Sequence, residues 1–184
     1  DVYDNDYAFN TSDHLPVSAR FLLTPPIVEN ECIGGSVVAF DQGLRKDGRR
    51  VAYHRSRAQK ALGSPNERRY FNFVSLGFGG SITIELNNEI FDNVDSDEFM
   101  VYESTGFRDN IPCHYFPEEA EVFASVDGET FVSLGSTCQD GTFDLASGGL
   151  RSAKFIKVVD TSDSSKFPWF ADGYDLDAIV CLES

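Results

Sequence analysis

The 184-residue sequence predicts an all-β fold, a two-sheet β-sandwich of jelly-roll type with few or no helices. Three observations carry this. Apolar residues alternate with polar ones in short runs bounded by turn residues from Val37 onward, Phe outnumbers Met by 16 to 1, and stretches with helical periodicity are scarce. With 41% apolar residues the chain can bury one sizeable core, and a second large core is not needed.

Taken in order, the chain divides at residue 31. Residues 1–10 are polar and aromatic, 15–23 are strand-like, and Thr24-Pro25-Pro26 breaks any regular element, so 1–31 reads as a strand and linker preceding the sandwich of 32–184. Strands are expected at 37–40, 73–76, 81–86, 99–103, 120–126, 131–134, 153–159 and 176–181, with a short helical turn at 56–62. Asp127-Gly128 supplies a hairpin turn between the fifth and sixth. Gly77, Gly79 and Gly80 form Gly-x-Gly-Gly, but no helix follows them; a tight turn is expected rather than a phosphate cradle, which needs helix-terminal amides.

The four cysteines have no Cys-x-x-Cys spacing and no histidine at zinc-finger distance. Two disulfides fit them better than four buried thiols. Of the three connectivities, Cys32 with Cys181 and Cys113 with Cys138 agrees best with the local order, since Cys32 opens the first strand of the sandwich, Cys181 closes the last, and the other two flank a hairpin. Such bonds imply an oxidising compartment, extracellular or at the cell surface. Since the chain starts at Asp1, it is expected to be a piece of something longer.

A formal charge of −15 argues against general affinity for nucleic acid or an anionic membrane, and no apolar run is long enough to span a bilayer. The charge is uneven. Nine of the fifteen basic residues lie between Leu44 and Arg69, against only Asp47 and Glu67. Nucleic acid contact, if any, is expected through this 44–69 segment alone; the bland reading is a solvated loop.

Asp175 and Asp177 are two apart on the closing strand and point to the same side. Carboxylates held together repel unless a cation or a basic group lies between them, and clustered hard oxygens suit calcium. The alternative is two solvated aspartates. Paired carboxylates also serve glycoside hydrolysis, but no sugar cleft with an evident acid and nucleophile is legible, and no enzymatic activity is expected. The loop 164–172 holds Trp169, the only tryptophan, beside Phe170; its aromatic surface suits a sugar face or a peptide side chain, or else packs into the core. His114 and Tyr115, next to Cys113, form a second aromatic candidate.

Two resemblances add to these readings. Residues 11–17, reading Thr-Ser-Asp-His-Leu-Pro-Val, resemble the C-terminal signature of the endonuclease/exonuclease/phosphatase family. In that family the pair matching Asp13 and His14 is catalytic, but the metal- and phosphate-binding groups would lie outside this piece, so Asp13 and His14 should be inert here. Further along, five pieces in order (74–83, 97–103, 121–128, 143–146 and 173–177) are similar to ligand-binding modules of bacterial adhesins and other secreted or cell-surface proteins. That resemblance implies a calcium-containing β-sandwich and matches its acidic positions to Glu103, Asp175 and Asp177. With Asp97 and Glu98 close by in sequence, these five form the candidate calcium set. The combined expectation is a monomeric, non-catalytic, calcium-stabilised module binding an extracellular glycan or peptide through Trp169, Phe170, Tyr115 and His114. The second reading is an accessory domain that helps an extracellular phosphoesterase hold a polyanionic substrate.

Overall fold

Alternation decides which side chains the sheets bury. In the computed structural model, which describes residues 32–65, 72–94, 96–104 and 112–182, Ile82, Ile84 and Leu86 of one strand and Ala120, Val122 and Ala124 of another turn inward while their neighbours face out. Nine strands result: β1 (Gly34–Asp41), β2 (Val74–Ser75), β3 (Ser81–Phe91), β4 (Phe99–Glu103), β5 (Glu119–Ser125), β6 (Val132–Cys138), β7 (Gly141–Phe143), β8 (Ser152–Asp160) and β9 (Asp175–Cys181). They pair antiparallel into a five-stranded sheet, β1-β3-β8-β5-β6, and a four-stranded sheet, β2-β9-β4-β7. The core between them joins Ile84, Val122 and Ile156 of the first sheet to Val74, Phe99 and Leu176 of the second.

The all-β two-sheet expectation holds, and each of the eight expected strands falls on an observed one. β7 escaped the sequence reading because three residues are too few to show alternation. In place of one helical turn at 56–62 there are two 3-10 turns, Tyr53–Arg55 and Ala58–Ala61. The second buries both its alanines and packs against β1, β2 and β9, closing the gap between the two sheets. Residues 1–31, with the linker, Asp13 and His14, lie outside the described residues, as do Glu67, Arg68 and Arg69.

Strand direction sorts the loops into two poles. At one pole lie the connections after β1, before β3, after β4, before β5, between β6 and β7, and between β8 and β9. At the opposite pole lie 92–98, the β5–β6 hairpin and 144–151. In that hairpin Asp127 accepts bonds from the Glu129 and Thr130 amides, and Gly128 takes φ +76°, as the Asp-Gly signal requires. The glycines at 77–80 make a turn into β3 with no helix after it. A side chain on Gly77 would meet the Gly43 carbonyl at 2.4 Å, so only glycine lets these two loops touch.

Cys32 bonds to Cys181 with Cα atoms 5.2 Å apart, and Cys113 bonds to Cys138 at 5.9 Å. The first joins the start of one sheet to the end of the other; the second ties residues 112–118 to the end of β6. Peptide mapping without reduction should recover these two linkages. Because the first spans 149 residues of separation, Cys32→Ser with Cys181→Ser should lower stability by about 3–5 kcal/mol in a denaturant titration.

Candidate functional site

The first pole is organised by a partly buried arginine. Arg55, at the end of a 3-10 turn, donates from Nη1 to both oxygens of Asp172 at 2.8 and 3.0 Å and from Nη2 to Asp175. Its guanidinium lies 4.6 Å from the ring centroid of Phe73. Asp172 and Asp175 are only 7% and 4% exposed, so their charge depends on this partner. Because Asp172 belongs to the β8–β9 loop and Asp175 to β9, one side chain from the 42–61 segment fixes both.

Glu118, 9% exposed, lies against the same group. Burial above all, then the neighbouring Glu103 and its hydrogen bond, push the Glu118 carboxyl well above the ordinary carboxylate range, while Arg55 opposes the rise. Burial and Glu118 push Asp175 in the same direction, again against Arg55. Three acids, Glu118, Asp172 and Asp175, thus crowd one guanidinium, which is in direct contact with Asp172 and Asp175.

A second buried acid joins the remaining loops. Asp160, at the end of β8, accepts from the amides of Gly79 at 2.8 Å and Tyr174 at 2.9 Å and from the Ser162 hydroxyl at 2.7 Å. Burial raises its pKa and these donors restrain the rise. The fully buried Tyr174 donates its hydroxyl to the Gln139 carbonyl, bringing in the β6–β7 turn.

The five carboxylates of the sequence-derived calcium set do not form one site. Glu103 and Asp175 share the Arg55 pole, where Ser104 N–H donates to the Asp175 carbonyl. Asp177 is buried further along β9. Asp97 and Glu98 lie beyond the other end of β4, a five-residue strand that separates them from Glu103 by roughly 16–20 Å. The sequence showed the acids but not the distance a strand puts between them, nor the guanidinium that already neutralises Asp175.

At the far pole Asp92, Glu98 and Asp144 place carboxylate oxygens within 4.8 Å of one another and could hold a metal ion. Glu98, 4% exposed, accepts from Asn93 N–H at 3.1 Å and Leu145 N–H at 2.7 Å. Asp92 accepts from Val94 N–H, and Asp144 caps the 3-10 turn Leu145–Gly148 by accepting from Ala146 N–H. Each carboxylate keeps lone pairs in reserve, a donor set suited to a hard cation. Asp92 and Asp144 are distant in sequence and share no motif, so only folding brings them to Glu98.

The aromatic candidates lie at the Arg55 pole. Trp169 is 63% exposed and Phe170 57%, their rings meeting edge to face at 5.7 Å. That excludes the core-packing alternative for Trp169. The Arg45 guanidinium sits over the indole at 5.7 Å, and the side chain stays largely exposed. Lys46 secures the loop by donating its amide to the Ala171 carbonyl and its amine to the carbonyls of Phe167 and Ser165. His114 and Tyr115 are exposed, with ring centroids 3.9 Å apart, next to the Cys113–Cys138 bond. Much of the basic segment is therefore structural: Arg55, Lys46 and Lys60, whose amine donates to the His54 carbonyl, tie loops together rather than forming a free stripe.

No protein-family model matches the chain, and no curated protein is similar to it. Solved structures are. A family 32 carbohydrate-binding module from Streptococcus pneumoniae EndoD superimposes with a TM-score of 0.55 at 10% identity, covering 84% of this chain and 99% of that module. The C-terminal domain of a chitobiase from Bacteroides fragilis gives 0.46 at 15% identity over 80% of this chain and 91% of that one. A family 32 module of a family 31 glycoside hydrolase from Clostridium perfringens gives 0.44 at 9% identity, covering 84% and 93%. At this identity the first similarity establishes a shared sandwich fold, and the other two add no further argument.

Two outcomes follow from the Arg55 group. Arg55→Ala would leave Asp172 and Asp175 buried without their cation, and should cost about 3 kcal/mol or more in chemical unfolding. Because Glu118 is raised when folded, the folded state binds more protons above the ordinary value of 4.5, and its contribution is lost as pH rises from there toward the raised value. Calorimetry should find Glu118→Gln more stable than the parent at pH 7, the difference vanishing near pH 4.

Proposed function

We propose that this chain is a non-catalytic carbohydrate-binding module of a secreted or cell-surface protein, and that it docks a sugar face on Trp169. The exposed, braced indole carries the reading. An isolated exposed tryptophan is costly to leave in water, and here neighbouring residues fix its orientation: Arg45 behind the ring, Phe170 at its edge, Lys46 under its loop. A rigid flat apolar surface at a loop pole fits the axial hydrogens of a pyranose while the hydroxyls meet polar groups at the rim. The likeness of the fold to a carbohydrate-binding module supports this, as do the two disulfides, which suit an oxidising exterior. His114 and Tyr115 stand at the same pole as a further aromatic edge for a longer glycan.

Calcium, in this reading, stabilises the opposite pole through Asp92, Glu98 and Asp144 and takes no part in sugar contact. The alternative placement at Glu103, Asp175 and Asp177 meets Arg55, a cation already seated on Asp175.

A glycan array followed by calorimetry tests the binding. Trp169→Ala should weaken the best glycan at least about tenfold, or about 1.4 kcal/mol, and leave the melting temperature unchanged because the ring is exposed. Failure to bind any glycan, or equal binding by the variant, would sink the proposal. Calcium at about 100 times its Kd should raise stability by about 2.7 kcal/mol. Asp144→Asn should abolish that gain and Glu103→Gln should keep it; the reverse pattern would move the ion to the Arg55 pole.

A further inference from the structure

The surroundings of Trp169 differ in charge from the rest of the molecule. We infer, resting on the carbohydrate-binding reading above, that the preferred ligand is an acidic sugar whose carboxylate or sulfate meets the arginines beside Trp169 while its ring lies on the indole.

The chain carries −15 overall, yet the turn that braces Trp169 is basic. Arg45 N–H donates to the Arg49 carbonyl and Gly48 N–H to the Arg45 carbonyl, closing a tight turn whose flanks, Leu44 and Arg50, pair as a bridge. This turn presents Arg45, Arg49 and Arg50 within six residues. Arg45 Nη2 lies 3.2 Å from Asp47, and Arg49 Nε 3.8 Å from the same carboxylate oxygen. Asp47 thus places Arg49 within about the length of one sugar residue from Arg45, and Arg45 lies 5.7 Å from the indole centroid. One carboxylate cannot neutralise two guanidinium groups, and Arg49 remains 76% exposed. On the other side of the indole loop Lys166 is exposed; the acid facing it and Lys46 is Asp163, whose carboxylate also accepts from Ser165 N–H. Among the described residues, the ion pairs and charge interactions of this patch set Asp47 against Arg45 and Arg49, and Asp163 against Lys46 and Lys166.

Free cations next to a flat apolar ring recognise a ligand with both a hydrophobic face and a negative group at its rim. A neutral sugar would leave Arg49 and Arg50 unused. A nucleic acid offers stacking and charge as well, but its closely spaced phosphates would run past this small patch onto a surface with a large excess of acids, so a short acidic glycan fits better. Rim contacts of this kind decide selectivity and salt dependence more than total affinity.

The experiment compares the intact chain and the double variant Arg49→Gln/Arg50→Gln by calorimetry at low and high ionic strength. The probes are oligogalacturonate and its methyl ester, sulfated and desulfated galactan, and single-stranded DNA. The parent should bind at least one acidic form about tenfold more tightly than its neutral partner, and the preference should shrink with salt. The carboxylate and sulfate pairs show which anion is read. The double variant should lose the preference while keeping the parent's affinity for the neutral form, and Trp169→Ala should weaken both forms. Equal binding of acidic and neutral forms overturns this inference and leaves the glycan reading intact. DNA bound as tightly as the acidic glycan overturns the choice of ligand class. Binding to none of the probes, together with an empty glycan array, overturns both readings.

Discussion

Carboxylates taken out of water must find a cation, and much of the loop structure at one end of this sandwich brings Arg55 to Asp172 and Asp175. To reach Asp172 and Asp175 the chain after β1 has to cross the pole before turning down between the sheets, and the β8–β9 loop has to fold back over the same spot. Once both are in place, Lys46 lies alongside 165–171 and Arg45 under the indole. The exposed aromatic surface is a product of two buried carboxylates. Asp160 complements it from the other sheet by collecting amides from the loop before β3 and from the β8–β9 loop, so the pole is held by polar groups where the sheets no longer supply apolar packing.

The two poles divide the chemistry. One carries the aromatic surface and the arginine-centred ion pairs; the other carries three convergent carboxylates with no basic side chain bonded to them among the described residues. An ion at the second pole would tie residues 92–98 to 144 through Glu98, which already bonds the backbone of both.

How much was legible follows from the range of each interaction. Alternation over five or more residues is local, so β4, β5 and β8 fell close to where the sequence put them, whereas β7, three residues long, left no pattern. The disulfides were legible because only three pairings existed and the strand order favoured one. The aromatic pair Trp169 and Phe170 was visible as composition, but its exposure was not: burial depends on what Arg45 and Lys46 do more than a hundred residues away. The carboxylates were misgrouped for the same reason. Asp175 and Asp177 seemed a pair because they are close in sequence, and nothing in the sequence marked Glu118 as a neighbour of Glu103 or Arg55 as the cation between Asp172 and Asp175. The basic segment was read by its net charge, but its role lies in the individual carbonyls and carboxylates it reaches.

The bond between Cys32 and Cys181 has a mechanical consequence. It joins the first and last strands at the pole away from Trp169, so chain on either side of the sandwich enters and leaves through nearly the same point. Tension along the polypeptide, as when an attached partner is dragged by flow, would pass through two sulfur atoms and bypass the hydrogen-bonded ladders. The sheets would stay unloaded and the exposed aromatic surface undistorted under a pull that would unzip β1 or β9 in the reduced protein.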